Sequence, residues 1–131
     1  MNRPSHEIDA EGLPYAHVPS KEVVGADAFF VLDLRVGRVV DVTAFPEARK
    51  PAWKLTVDFG DEVGTLRTSA QITNYSASEL SGRLVVGAVN LGEKRIAGFT
   101  SQFLVLGALD PDGTVRLLQL EDGVQPGAVI A

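Results

Sequence analysis

The sequence predicts an all-β fold, a small barrel carrying one short helix, and three observations carry that expectation. Apolar and polar residues alternate with period two through Leu32–Val36 and again from Trp53 to Ile72, the pattern of half-buried strands. One helix-start signature, Ser76-Ala77-Ser78-Glu79, interrupts the strands after the third. Continuous apolar runs then follow at Leu84–Val89 and Phe103–Leu109, bounded by Gly, Pro and Asp.

The elements follow in chain order. Residues 1–25 carry Pro4, Pro14 and Pro19, little apolar periodicity and mostly acidic charge, and are expected to form a mobile arm. His6 and His17, both in this arm, read as ordinary surface residues. The folded domain is expected over 26–131. In the first strand Leu32, Leu34 and Val36 alternate with Asp33 and Arg35, and Gly37-Arg38 breaks the phase before Val40 and Val42 resume it, which predicts a bulge or bend there. The loop Ala44–Pro51 is closed by prolines that forbid further ladder pairing.

Trp53, Leu55, Val57 and Phe59 then alternate with Lys54, Thr56 and Asp58, and Leu66, Thr68, Ala70 and Ile72 with Arg67, Ser69 and Gln71. An antiparallel pairing across the loop Asp61–Gly64 sets Phe59 opposite Leu66 and Leu55 opposite Ala70 inside, with Asp58 opposite Arg67, Thr56 opposite Ser69 and Lys54 opposite Gln71 outside. Trp53 falls in the inward phase and is expected in the core. Ser76 and Glu79 form a capping box, Gly82 ends the helix in a left-handed turn, and Leu84–Val89 and Phe103–Leu109 read as buried strands. Asp110-Pro111-Asp112-Gly113 is a tight turn into Val115–Leu120, and Ala128–Ile130 is a last apolar segment.

Three strands, a short helix and further strands are the layout of an OB-fold, a five-stranded Greek-key barrel whose ligand face lies on strands two and three between the loops after strands one and four. Those elements hold Lys54, Arg67, Ser69 and Gln71, framed by Arg49-Lys50 and Lys94-Arg95. Extra C-terminal strands after Leu109 exceed what the barrel needs, and a homodimer is the economical way to bury them.

Composition narrows the function. At 131 residues the chain is one domain, 45% apolar, with no cysteine and two histidines, which excludes disulfides, thiolate chemistry and Cys- or multi-His metal centres; no cofactor is implied. Asp58, Asp61 and Glu62 are close in sequence but at a hairpin end, where acids are ordinarily solvated, and no catalytic residue is expected. No apolar stretch approaches the roughly 18–20 residues that span a bilayer, and the N-terminus lacks a secretion signal, so a cytoplasmic protein without membrane insertion is expected. The net charge of −5 is uneven: from Arg35 to Arg95 nine bases face seven acids, a local excess of two positive charges.

The chain resembles the tRNA-binding-domain family, in particular its CsaA-type bacterial secretion chaperones, from about Asp27 to Ala131. The resemblance rests on Asp33-Leu34-Arg35-Val36-Gly37, Phe45-Pro46-Glu47-Ala48-Arg49-Lys50-Pro51-Ala52, Lys54-Leu55 with Asp58-Phe59-Gly60, Ser69-Ala70-Gln71-Ile72-Thr73, Val89-Asn90, Ile96 with Phe99, and Leu104-Val105-Leu106-Gly107. It implies an OB-fold homodimer that binds tRNA or other structured RNA through basic patches and also binds unfolded or export-bound precursor polypeptides. It implies RNA contacts at a lysine, matched here by Lys50 or Lys54, and at a serine matched by Ser101, followed by Gln102. The chain departs from the chaperone pattern at Leu91–Arg95, where those relatives tend to carry a Phe and two prolines.

Each candidate has a plainer reading beside the functional one. Arg49, Lys50, Lys94 and Arg95 are either solvated loop residues or phosphate contacts; Arg67 either pairs with Asp58 or contacts RNA; Ser69 and Gln71 either cover a sheet face or donate to RNA. Phe45, Ile96 and Phe99 either plug the barrel or grip a peptide. The expected function is therefore non-enzymatic binding of RNA with chaperone activity toward polypeptides, or peptide binding alone with RNA binding vestigial.

Overall fold

A computed structural model describes residues 12–131, so His6 and most of the first half of the expected arm lie outside the described residues. Of the rest of that arm, 13–16 are half-buried, with the Tyr15 amide donating to Pro111 O at 2.9 Å, and His17 is exposed. A four-residue helix, α1 (Asp27–Phe30), precedes the first strand and was not signalled by any cap: its N-cap is Ala26, which offers no side-chain acceptor.

The barrel is a five-stranded antiparallel sheet in the order β3-β2-β1-β4-β7, built from β1 (Leu34–Ala44), β2 (Trp53–Asp58), β3 (Thr65–Ala70), β4 (Leu84–Ala88) and β7 (Leu104–Val105). Two hairpins lie outside that sheet, β5 (Lys94–Ile96) with β6 (Phe99–Ser101), and β8 (Gly107–Leu109) with β9 (Val115–Leu117). Helix α2 (Ala77–Leu80) sits between β3 and β4, as the OB layout requires. Its capping box is present: Glu79 N donates to Ser76 Oγ at 3.2 Å and Ser76 N to Glu79 Oε1 at 2.8 Å. Gly82 (φ +80°) then turns the chain so that its amide donates to Val39 O at 2.9 Å.

The alternation in β2 and β3 supplies the core. Leu55, Val57, Phe59, Ala70 and Ile72 pack with Val39, Leu80, Val85, Phe103 and Leu117 in one cluster, Trp53 covers it, and the Trp53 indole N–H donates to Tyr75 O at 3.0 Å. Phe59 and Phe103 meet edge to face with centroids 4.9 Å apart. Gly37 and Gly87 serve that packing: a Cβ at Gly87 would lie 2.7 Å from Phe59 Cζ, and one at Gly37 would meet Val57 and Phe59. Gly37 is therefore a close approach and not a bulge. The irregularity of β1 sits instead between Val39 and Asp41, which leaves Val40 52% exposed and Val39 buried, the reverse of the expected phase.

The β2–β3 register also differs from expectation. Lys54 faces Ser69, Thr56 faces Arg67 and Asp58 faces Thr65, two residues away from the predicted pairing. The reason is the turn: Gly60 and Gly64 both adopt φ +85°, Phe59 N donates to Gly64 O and Gly64 N to Gly60 O, so Phe59 belongs to the loop and not to the ladder. Because the shift is even, every side chain keeps its predicted face.

The run Phe103–Leu109 is not one buried strand. Only Phe103 is buried; the chain leaves β4 after Leu106 and pairs with β9, where Gly107 allows the close crossing that a Cβ would block 2.6 Å from Val115 Cγ1. The last segment returns to β1, with Val36 N donating to Ala128 O and Ile130 N to Leu34 O, and Arg35 is committed there, bonding Asp33 Oδ1 at 2.6 Å and Gly127 O at 3.2 Å. No helix among the described residues is long and apolar enough to cross a membrane.

Candidate nucleic-acid interface

The outer positions of β2 and β3 form lateral rows across the sheet. One row runs Thr43, Lys54, Ser69 and continues to Ser101, whose hydroxyl accepts from Ser69 N at 3.1 Å; Lys94 is the cross-strand partner of Ser101. The next runs Asp41, Thr56, Arg67. Lys54 and Arg67 therefore share one wall, on adjacent strands.

Both converge on the same ring. Lys54 Nζ lies 5.3 Å from the Phe99 centroid and 4.7 Å from that of Phe45, and Arg67 Cζ lies 4.6 Å from Phe99. Phe45 and Phe99 touch edge on, with centroids 5.5 Å apart, and with Ala52 they form a second apolar cluster supported by Ala48 and Ile96. That cluster ties the loop holding Arg49 and Lys50 to the hairpin holding Lys94 and Arg95, so the two rims expected to flank the face are physically joined.

Among the described residues no acid forms an ion pair with the cations of this wall. Among the described residues the ion pairs are Arg35–Asp33 and Arg116–Asp110, and neither includes Arg49, Lys50, Lys54, Arg67, Lys94 or Arg95. The expected Asp58–Arg67 pairing is absent, since Thr65 and not Arg67 faces Asp58, whose carboxylate instead accepts from Gly60 N at 2.8 Å. Arg49, Lys50, Arg67, Lys94 and Arg95 are exposed and Lys54 is half-buried. Arg95 bonds within its own hairpin, to Thr100 Oγ1 at 3.2 Å and Gly98 O at 3.0 Å.

The polar and apolar candidates are placed less openly. Gln71 is exposed just past the end of β3, and Ser69 is half-buried. Ser101 is only 8% exposed, its oxygen turned to Ser69, so this serine braces the barrel instead of facing solvent. Phe45 and Phe99 are 4% and 7% exposed, covered by the Lys54 and Arg67 side chains, and of the three apolar candidates Ile96 alone is half-exposed. Gln102 follows Ser101 in the chain. It receives Arg67 N on Oε1 at 2.9 Å and donates its own amide to Arg67 O at 2.8 Å, which fixes the backbone beneath Arg67.

Comparison with known proteins decides the family. The family model described as "Putative tRNA binding domain" matches residues 34–129. The chain belongs to the tRNA-binding-domain family. Within it, the chain is similar to the crystal structure of CsaA chaperone protein from Picrophilus torridus, with 46% identity and a TM-score of 0.78 over 83% of this chain and 100% of that one. It is similar also to chaperone CsaA from Bacillus anthracis strain Ames, with 42% identity and a TM-score of 0.79 over 84% of this chain and 100% of that one. Among curated sequences, methionine–tRNA ligase of Neisseria gonorrhoeae is 32% identical over 107 residues, which is 81% of this chain but 16% of the ligase. The tRNA-binding domain thus spans about a sixth of such relatives.

Proposed function

We propose that this tRNA-binding domain is a non-enzymatic module that grips structured RNA, tRNA foremost, on the β2–β3 wall. The observation that carries the reading is the convergence of Lys54 and Arg67 on Phe99, within a rim of cations that form no ion pairs among the described residues. Unpaired cations on one wall are what a phosphate backbone recruits, and each contact releases bound counterions. Arg49, Lys50, Lys54, Arg67, Lys94 and Arg95 neutralise phosphates, and Gln71 donates a directed hydrogen bond. Ser69 and Ser101 hold the wall together. With tRNA as partner, the protein works in the cytoplasm.

Filter binding of bulk tRNA across a salt series tests the reading. Retention that falls steeply with salt, and that weakens in Lys54→Gln and Arg67→Gln but not in Arg116→Gln on the β8–β9 hairpin, supports it. Absence of retention at about 50 mM salt would sink it.

A second activity, holding unfolded or export-bound polypeptides, is favoured by the similarity to two CsaA chaperone structures that this chain covers in full. Such a client would meet Ile96 first and would reach Phe45 and Phe99 only by displacing the Lys54 and Arg67 side chains. Suppression of aggregation of a denatured client, lost in Ile96→Ser, is the expected result. Pairing of two copies is supported by exposed large apolar residues in two regions, Phe29 to Leu32 at α1 and Leu109, Leu118 and Val129 near the C-terminus. Sedimentation at micromolar concentration would return twice the chain mass.

A further inference from the structure

Charge alone does not account for how Arg67 is held. Its guanidinium carbon lies 4.6 Å from the Phe99 centroid, and that ring is itself wedged edge-on against Phe45 and nearly buried. Its backbone is clamped in both directions by Gln102. Asp41 shares its lateral row, yet among the described residues Arg67 forms no ion pair, while the residue as a whole stays exposed. The wall thus presents a guanidinium seated over an aromatic ring.

A phosphate contact gains little from that posture. Lys54, over the same ring and on the neighbouring strand, already supplies a point charge. A supported guanidinium plane offers something Lys54 lacks, a flat cationic surface on which a nucleobase stacks. An uninterrupted A-form duplex has no open base face to offer it, whereas a looped or bulged nucleotide does.

We infer that Arg67, propped on Phe99, is a stacking platform for one unpaired nucleobase, so that the wall takes RNA at a looped or bulged nucleotide and not along a continuous duplex. The inference rests on the RNA-binding reading above and specifies which part of the RNA meets the wall. Phe99 acts here as a positioning residue, since its ring touches the guanidinium and not the base.

The test compares an RNA stem-loop carrying 2-aminopurine in the loop with a blunt RNA duplex of equal phosphate number carrying it in a base pair. The wild-type chain is expected to bind the stem-loop more tightly and to quench its probe. Arg67→Lys keeps the charge but removes the plane, so stem-loop affinity should fall roughly tenfold, the size of one lost base stack, with the quench lost and a clearly smaller loss on the duplex. Phe99→Leu should give the same pattern without touching any charge; should it fail to fold, the surface change Arg67→Lys decides alone. Equal losses on both RNAs, or none on either, overturn the platform and leave the RNA-binding reading standing. Failure of the wild-type chain to bind either RNA overturns both.

Discussion

The amide of Ser69 donates to the hydroxyl of Ser101 at 3.1 Å, and the two hydroxyl oxygens lie 3.3 Å apart. Ser69 sits on β3, the edge of the five-stranded sheet, and Ser101 on a hairpin outside that sheet. Their contact is one of four that close the barrel without a regular ladder. The others are the two Arg67–Gln102 bonds and the Thr68 hydroxyl donating to Phe103 O at 2.7 Å. An edge strand left open would expose unpaired N–H and C=O groups; here the Gln102 and Ser101 side chains accept from the Arg67 and Ser69 amides, and the Gln102 backbone amide donates to Arg67 O.

Ser101→Ala should therefore cost about 1–3 kcal/mol, because it leaves the Ser69 amide without its acceptor in a poorly hydrated place. Ser69→Ala removes only the hydroxyl pair and should cost less than about 1 kcal/mol. Urea unfolding midpoints measure both. A Ser101→Ala midpoint equal to wild type would mean that barrel closure does not depend on this oxygen.

Lys54 offers a test of the wall as an electrostatic surface. Lys54→Gln should weaken tRNA binding at every sequence and reduce the slope of log affinity against log salt by about one. An unchanged slope would show that Lys54 touches no phosphate.

Phe45 and Phe99 join the two rims, and their coupling is measurable. A double-mutant cycle of Phe45→Leu and Phe99→Leu should give an interaction of about 0.5–1.5 kcal/mol, the usual worth of an edge-to-face pair beyond its buried area. Additive single effects would mean that the loop and the hairpin are held by something other than these rings.

Which of these features the sequence displayed follows from their physical range. Period-two alternation fixed the inward faces of Leu55, Val57 and Ala70 and the outward faces of Lys54 and Arg67, and those faces survived a register error because the error was even. The register itself depended on φ +85° at Gly60 and Gly64, a choice of turn that residue types permit but do not dictate. The burial of Ser101 arises from its contact with Ser69, distant in sequence, and the break at Gly107 from a close backbone crossing at Val115 that apolar composition does not reveal. Local pattern carries no trace of these. Phe45 and Phe99 read equally as plug or grip for the same reason: their burial comes from each other and from Lys54 and Arg67.

Glu79 links stability to pH. The hydrogen bond from the Ser76 backbone holds its carboxyl below the usual value, helped by the Ser76 side chain and, less, by Arg83, against the opposing effect of desolvation. A carboxyl whose folded pKa is depressed contributes stability above its unfolded pKa and loses that contribution as pH falls through the folded one. Glu79→Gln keeps an acceptor for Ser76 N but removes the charge. Its urea midpoint should lie below wild type at neutral pH and merge with it under acid conditions; parallel curves at all pH would show that the charge of Glu79 contributes nothing.

The β5–β6 hairpin stores strain at Ala97, the one non-glycine with positive φ among the described residues, at +48° and followed by Gly98 at +81°. Ile96 and Phe99 pair across these two residues, so the loop is a two-residue turn with positive φ at both positions. Such turns favour Asn-Gly, because asparagine tolerates the left-handed region that costs an ordinary residue roughly 1–2 kcal/mol. Ala97→Asn creates that dipeptide without adding the unfolded-state freedom that glycine would bring. The expected outcome is a gain of up to about 1 kcal/mol in urea unfolding. Because Ile96 and Phe99 flank the turn, a firmer hairpin should also slow amide exchange at Phe99 and Ser101, while Ala97→Val should reverse both effects. Loss of stability in Ala97→Asn would mean that the hairpin does not adopt this turn in solution, and the rim formed by Lys94 and Arg95 would then not be held where the wall requires it.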